Sequence, residues 1–327
     1  MDALKQTTLR AQLLDRRERL EDAITRYKEN PSLERLLLEV DSALERIDDG
    51  SYGLCDLCHE PIEPEWLSAD PLVRICLSHL TPEQQRAFEQ DLDLASRIQG
   101  ALLPKPSVAF EGWDIYYYYE PAGPVSGDYC DLLFSQNDQR ELFFLLGDIS
   151  GKGVAASLLM SHLHAIFRSL IALAMPVAQL VERANRIFCE STLSTQFATL
   201  VCGRADSSGT IDLCNAGHCP PLWIRSREAA PIEATGLPVG IFRAGQYSHA
   251  QLQLAKGESL LLYTDGLTEA EDKSGSEYGL ARLTKLVTNQ TASAKALTLA
   301  CVEDLRSFQS GTGKTDDLSI MVIRRAE

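Results

Sequence analysis

The chain has 327 residues, 45% of them hydrophobic and 24% charged, which is globular composition with room for about two domains. Acids outnumber bases 46 to 31, for a net charge of −15, so a basic nucleic-acid-binding stripe is excluded as the main function. No run of 18 apolar residues occurs and the N-terminus lacks a secretory pattern, so the expected location is the cytoplasm, away from any membrane. The nine cysteines are then expected as reduced thiols plus a metal site.

In chain order, residues 1–50 carry two apolar stripes. Leu9, Leu13, Leu20, Ile24 and Tyr27 form the first; Leu33, Leu37, Val40, Leu44 and Ile47 form the second, at heptad spacing. Asn30-Pro31-Ser32 interrupts them and Gly50 and Gly53 end them, which predicts a helical hairpin whose stripes face each other or a second chain. Then come Cys55-Asp-Leu-Cys58 and Cys76-Leu-Ser-His79, 17 residues apart. Two chelating pairs supply three thiolates and an imidazole, the donor set of a closed tetrahedral zinc site. About 30 residues cannot bury a core alone, so one structural Zn²⁺ would supply the folding energy. His59 is read as an exposed neighbour of the site. Thr81-Pro82 with Gln84 caps a linker helix over 81–104, whose stripe is Phe88, Leu92, Ala95, Ile98 and Leu102. Either the hairpin or this linker could form a homodimer, and the linker could equally pack on the domain that follows.

The knuckle Ser51-Tyr-Gly-Leu-Cys-Asp-Leu-Cys58 with Cys76-Leu-Ser-His79 resembles the DksA/TraR-type zinc finger, over residues 1–80. The last ligand is His79 rather than Cys. No acidic cluster marks the tip near Asn30, which points away from RNA polymerase binding and toward a structural or sensory role. The acids Asp48, Asp49, Asp56, Glu60, Glu63 and Glu65 argue against a DNA-reading finger.

The remainder, 105–327, reads as short apolar strands joined by short turns. Strands are expected at 113–119, 129–134, 141–147, 197–204, 210–214, 221–225, 248–254, 258–264 and 317–324, and helices at 153–173, 177–193, 278–290 and 294–309. That order is not a regular βαβ alternation, so the expected class is α+β: antiparallel sheets flanked by helices. Four acids stand at strand mouths: Asp128, Asp148, Asp265 and Asp316. Carboxylates brought together resist ionisation, and a hard divalent cation with oxygen ligands, Mg²⁺ or Mn²⁺, relieves this. Asp265-Gly266 taken alone is an ordinary turn. Gly313-Lys314-Thr315 imitates a phosphate loop but lacks its first glycine, since position 308 is Phe308.

These stretches resemble the PP2C-type metal-dependent phosphatases in their SpoIIE/RsbU-like bacterial branch. The matching segments are Ala95–Pro104, Ser126-Gly-Asp-Tyr-Cys-Asp131, Gly147-Asp-Ile-Ser-Gly-Lys-Gly-Val154, Phe197–Leu200, Asn215–Leu222, Tyr263-Thr-Asp-Gly-Leu-Thr-Glu-Ala270 and Thr315-Asp-Asp-Leu-Ser319. The resemblance implies a two-metal site. Asp148 would bridge both ions, Asp128 and the Ile149 carbonyl would complete one, and Asp265 and Asp316 the other. A metal-activated water would attack phosphorus in line, without a phosphoenzyme. It further implies a phosphoserine or phosphothreonine protein substrate, a STAS-type anti-sigma-factor antagonist. Asp131 and Asp317 could be supporting acids or solvated ones. No general acid or phosphate-clamping arginine is identifiable, His218 reads as structural, and His162 and His164 cannot share a helix face. The rival reading is an inactive phosphatase-like binding module coupled to the finger, whose mark would be a missing ligand.

Overall fold

In the computed structural model all residues are described except 1–2, 27–30, 64–65, 68–69, 135–140, 194, 226–227, 289–292, 312–313, 315 and 327. Tyr27, the tip at Asn30, Glu65, and Gly313 and Thr315 of the imitation phosphate loop therefore lie outside the described residues. The chain divides into two compact units, residues 1–91 and 92–327.

The first unit begins with α1 (Ala3–Arg26) and α2 (Pro31–Asp49). Leu13 and Leu20 of α1 are buried in one cluster with Val40, Ala43, Leu44 and Ile47 of α2. Arg10 meets Asp48 at 3.2 Å and Arg17 meets Asp41 at 2.7 Å, a pairing that runs the two helices antiparallel. Tyr52 closes the base of this cluster and donates to the Pro71 carbonyl at 2.8 Å. Next to it a second small cluster holds Cys55, Ile62, Val73 and Cys76. Helix α3 (Pro82–Leu102) starts as the capping residues require: Thr81 N–H donates to Gln84 Oε1 at 2.9 Å, and Gln84 N–H to Thr81 Oγ1 at 3.3 Å. The division between the units falls within this helix.

Two antiparallel sheets and their flanking helices build the second unit. The strands are β1 (Ser107–Phe110), β2 (Trp113–Glu120), β3 (Tyr129–Phe134), β4 (Leu142–Ile149), β5 (Ala198–Ala205), β6 (Thr210–Ala216), β7 (Leu222–Arg225), β8 (Glu228–Pro231), β9 (Ala250–Gln253), β10 (Ser259–Tyr263) and β11 (Leu318–Arg325). One sheet has the order β1-β2-β11-β10-β7-β8, the other β3-β4-β5-β6-β9. Strand β4 shows why the sequence reads as an unbroken apolar run, because both of its faces are covered. Leu142, Phe144 and Leu146 point into the core between the sheets, with Ile115, Leu262 and Ile323 opposite. Phe143 and Leu145 point the other way, onto α4 (Gly153–Ile171) and α5 (Val177–Ser191). The outer face of the first sheet is covered likewise by α7 (Leu280–Val287) and α8 (Ala294–Gln309), through Leu283, Leu297, Cys301 and Leu305. The result is a four-layer αββα sandwich.

Helix α4 is long and apolar enough to cross a bilayer, but its inner face, including Met160, Leu163, Phe167 and Leu170, belongs to the core. Two strands carry no signal in the sequence: β1 and β8 are four-residue edge strands, half-exposed and paired on one side only. The stripe on α3 also differs from the expected one. Ile98 is exposed, and Gln99 is buried in its stead. Position 265 differs too: Asp265 opens a one-turn helix, α6 (Asp265–Thr268), in place of a plain turn.

Candidate functional site

Antiparallel pairing carries the acids to one end of the sandwich. Tyr129 pairs with Gly147, so Asp128, just before β3, lies beside Asp148 near the end of β4. Tyr263 pairs with Ile320, so Asp265, just after β10, lies beside Asp316, just before β11. Within each pair the backbones pack closely at a glycine, tightly at Gly127 and with no room for a Cβ at Gly266. A Cβ at Gly127 would lie 3.1 Å from the Ile149 carbonyl oxygen and 3.4 Å from Asp148 Oδ1. A Cβ at Gly266 would lie 1.9 Å from the Asp317 carbonyl oxygen, an impossible contact. Asp317 supplies the link between the halves: its carboxylate accepts from Ala122 N–H at 2.7 Å and Gly127 N–H at 3.0 Å. Of the two readings open for Asp317, a supporting acid or a solvated one, these bonds favour the first. Asp317 staples the β11 loop to the Asp128 loop.

The electrostatics follow from this crowding. Burial, then the Asp148 charge, pushes the Asp128 carboxyl well above its ordinary value. Asp128 accepts from Thr264 Oγ1 at 3.1 Å and from Ser319 Oγ, both on the opposite sheet. Burial, then Asp265 and Asp316, pushes Asp148 up to about 7. Asp265 is raised by burial and then by Asp316. Four carboxylates at one spot are held against their own repulsion by the surrounding core. A charged contact that relieves them is Lys152, whose Nζ lies 2.9 Å from Asp316. An all-oxygen set of this kind, partly protonated when alone, suits a hard divalent cation. It is open rather than closed: among the described residues, only the Cys/His group described next gathers its ligand atoms within 4.8 Å of one another.

Sequence reasoning missed Gln99. Its amide accepts from Ser126 N–H at 3.0 Å and donates to the Ser126 carbonyl at 2.6 Å, clamping the turn that carries Asp128. A buried glutamine on a helical stripe is the only trace of this in the sequence. Asp131 is fully buried away from the acids: Arg168 binds it through two hydrogen bonds, 3.0 and 2.8 Å, with His164 at 3.6 Å. It is an anchor for α4. His162 bonds Ser191 instead, at 2.6 Å, so the two histidines act separately. His218 is buried against Thr199 Oγ1 at 2.8 Å, and burial holds its imidazole down at about 4. Cys130, Cys202, Cys214 and Cys301 are buried, free thiols.

In the first unit Cys55, Cys58, Cys76 and His79 come together, with Cys76 Sγ 3.0 Å from His79 Nδ1 and 3.8 Å between the sulfurs of Cys58 and Cys76. The Ser78 hydroxyl beside Cys76, at 3.0 Å, lowers that thiol's pKa and favours the thiolate. His59 is exposed and outside the group.

An αββα sandwich with acids from the facing ends of both sheets defines a PP2C-type serine phosphatase domain. Stage II sporulation protein E (SpoIIE) is the family whose pattern matches, over residues 138–326, more than half of the chain. The chain belongs to the SpoIIE family. It is 26% identical over 250 residues to the phosphoserine phosphatase RsbU of Bacillus subtilis, covering 74% of this chain and 72% of RsbU. It is 26% identical over 265 residues to protein IcfG of a Synechocystis strain, covering 72% of this chain but only 41% of IcfG, so it spans less than half of that relative. Among solved structures, the RsbU and RsbW domains of a Mycobacterium tuberculosis protein superpose with TM-score 0.57 at 28% identity, covering 66% of this chain and 62% of that one. The SiaA PP2C domain of Pseudomonas aeruginosa gives TM-score 0.64 at 22% identity over 73% of this chain and 98% of that domain, a likeness of fold.

Proposed function

We propose that this chain is a Mn²⁺- or Mg²⁺-dependent protein serine/threonine phosphatase with an N-terminal zinc-stabilised module. The observation that carries the reading is Asp148, half-buried and pushed up by desolvation, then by Asp265 and Asp316, at the mouth of a SpoIIE-family sandwich. In this reading Asp128, Asp148, the Ile149 carbonyl, Asp265 and Asp316 would together hold the two ions. Bound there, the ions would lower the pKa of a shared water and offset charge on the phosphoryl oxygens. The chain's own residues do the positioning. Thr264 and Ser319 fix the rotamer of Asp128, Gln99 and Asp317 hold its turn, and Gly127 lets the Ile149 carbonyl face the same space. Lys152 on Asp316 is the group an incoming cation would displace or a phosphate would meet.

The substrate we propose is a phosphorylated regulatory protein, of the STAS-type anti-sigma-factor antagonist class that the family resemblance implies. The Cys55/Cys58/Cys76/His79 group is assigned one structural zinc, in a finger of DksA/TraR type over residues 1–80. The reading is tested with the purified chain, a phosphoserine peptide and added Mn²⁺. Turnover is expected, with a loss of more than about 100-fold in Asp148→Asn, beyond what a supporting residue alone costs. No turnover in the wild type, or undiminished turnover in the variant, overturns it. The binding-module rival predicts the first of those outcomes.

A further inference from the structure

The acids are not the only groups gathered at the mouth. A cavity of about 40 Å³ opens beside them, walled on one side by Gly266 and Asp316 and on the other by Glu120, Arg306 and Lys314. It has space for a few waters, which is the footprint of one carboxylate rather than of a cofactor. Three separate elements aim at it: Glu120 ends β2, Arg306 lies in the last turn of α8, and Lys314 precedes β11. Arg306 Nη2 lies 2.8 Å from Tyr118 Oη and 3.2 Å from Glu120 Oε2, and Lys314 Nζ pairs with the other Glu120 oxygen. Two cations here share the Glu120 carboxylate, while Asp316 on the same lining is taken up by Lys152. Both cationic side chains are about half exposed, at 62% and 48%, so an incoming group can reach them.

We propose that this cavity is a specificity subsite for an acidic side chain of the phosphoprotein substrate, flanking its phosphorylated residue. The inference rests on the phosphatase reading and adds to it the sequence context the enzyme selects. The geometry supports it in two ways. Glu120 already shows that Arg306 and Lys314 accept a carboxylate in this orientation. The shared wall, Asp316 and Gly266, places that carboxylate within a few residues of any phosphate bound at the acids. A guanidinium and an ammonium held on separate elements also suit an anion that must be bound and released, since neither is neutralised by a dedicated partner of its own. An arrangement that merely fastened the loop before β11 to β2 would affect all substrates alike, and the test uses that difference.

The full chain with Mn²⁺ is assayed on two phosphoserine peptide series, identical except for Glu or Gln at each position from four before to four after the phosphoserine, and on para-nitrophenyl phosphate. The expected result is a preference of about tenfold in kcat/KM for Glu at one flank position, the scale of a single partly exposed charge pair. That preference disappears in Arg306→Ala and Lys314→Ala, while the Gln peptides and para-nitrophenyl phosphate are unaffected. In Arg306→Glu it reverses toward a Lys-flanked peptide. The same preference is read as Kd with non-hydrolysable phosphonate peptides, which needs no turnover. Absence of a flank preference in the wild type, or equal losses on all substrates in the variants, overturns the subsite. Failure of turnover with intact flank-dependent binding instead overturns the phosphatase reading and leaves the subsite standing.

Discussion

The two units solve the problem of gathering ligands in opposite ways. In the first unit the ligands come from short chelating turns, Cys55–Cys58 and Cys76–His79, and they lie within 4.8 Å of one another around only four buried residues. In the second, four carboxylates come from segments up to 188 positions apart, and three layers of core hold them near one another against their mutual charge. In the proposed reading the small module would draw folding energy from its metal, whereas the core of the large domain holds a site that its own electrostatics oppose.

The largest expected effect separates the units by metal removal. Stripping zinc, or replacing Cys55 and Cys58 with Ser, should release one zinc per chain and unfold the first unit, because structural zinc supplies on the order of 10 kcal/mol. Limited proteolysis should then cut within residues 1–91 and spare 92–327. Cleavage spread evenly over both would remove the contrast.

The next effect concerns the acids. Asp148 is raised to about 7 from an unfolded value of 3.8, so its ionisation costs stability as pH rises through that window. Below pH 4 the penalty is absent; above pH 7 it is fully developed, roughly 4 kcal/mol in metal-free protein. Asp148→Asn should therefore stabilise the metal-free second unit at pH 8, measured by urea unfolding in chelator, with no gain at pH 4. A variant that is less stable at pH 8 would show that the carboxylates are not strained by one another.

The smallest effect is carried by His218, whose imidazole is held down at about 4 by burial. A histidine with a depressed folded value is neutral at no cost above pH 6.5, and stability falls as pH drops from 6.5 toward 4, by roughly 3 kcal/mol. His218→Asn should flatten the fall in the urea midpoint between pH 7 and pH 5. An unchanged slope would assign it to other groups.

Much of this was legible in the residue order. Expected strands such as 113–119 and 129–134 match β2 and β3, the first through aromatic and β-branched residues that alternate buried and half-buried, the second through four successive buried residues. The Cys/His cluster was legible because its members come from two short turns, where spacing alone sets geometry. Edge strands β1 and β8 were not, since four half-exposed residues carry too little apolar pattern, unlike edge strand β3 with its four buried residues. Gln99 was hidden for a related reason: its burial depends on what lies opposite, the Ser126 backbone, and nothing local distinguishes it from the exposed Ile98.

By itself the sequence determined the α+β class, the chelating turns and which acids stand at strand ends, because each depends on periodicity or on residues close in the chain. Tertiary structure decided what those acids meet. Sheet register set Asp128 against Asp148 and Asp265 against Asp316; the hydrogen bonds of Asp317 to Ala122 and Gly127 and of Asp128 to Thr264 and Ser319 joined the pairs, while Asp131 turned to Arg168 and Arg306 and Lys314 stayed at the rim. Charge and distance act through space, and only the folded chain specifies which distant residues share it.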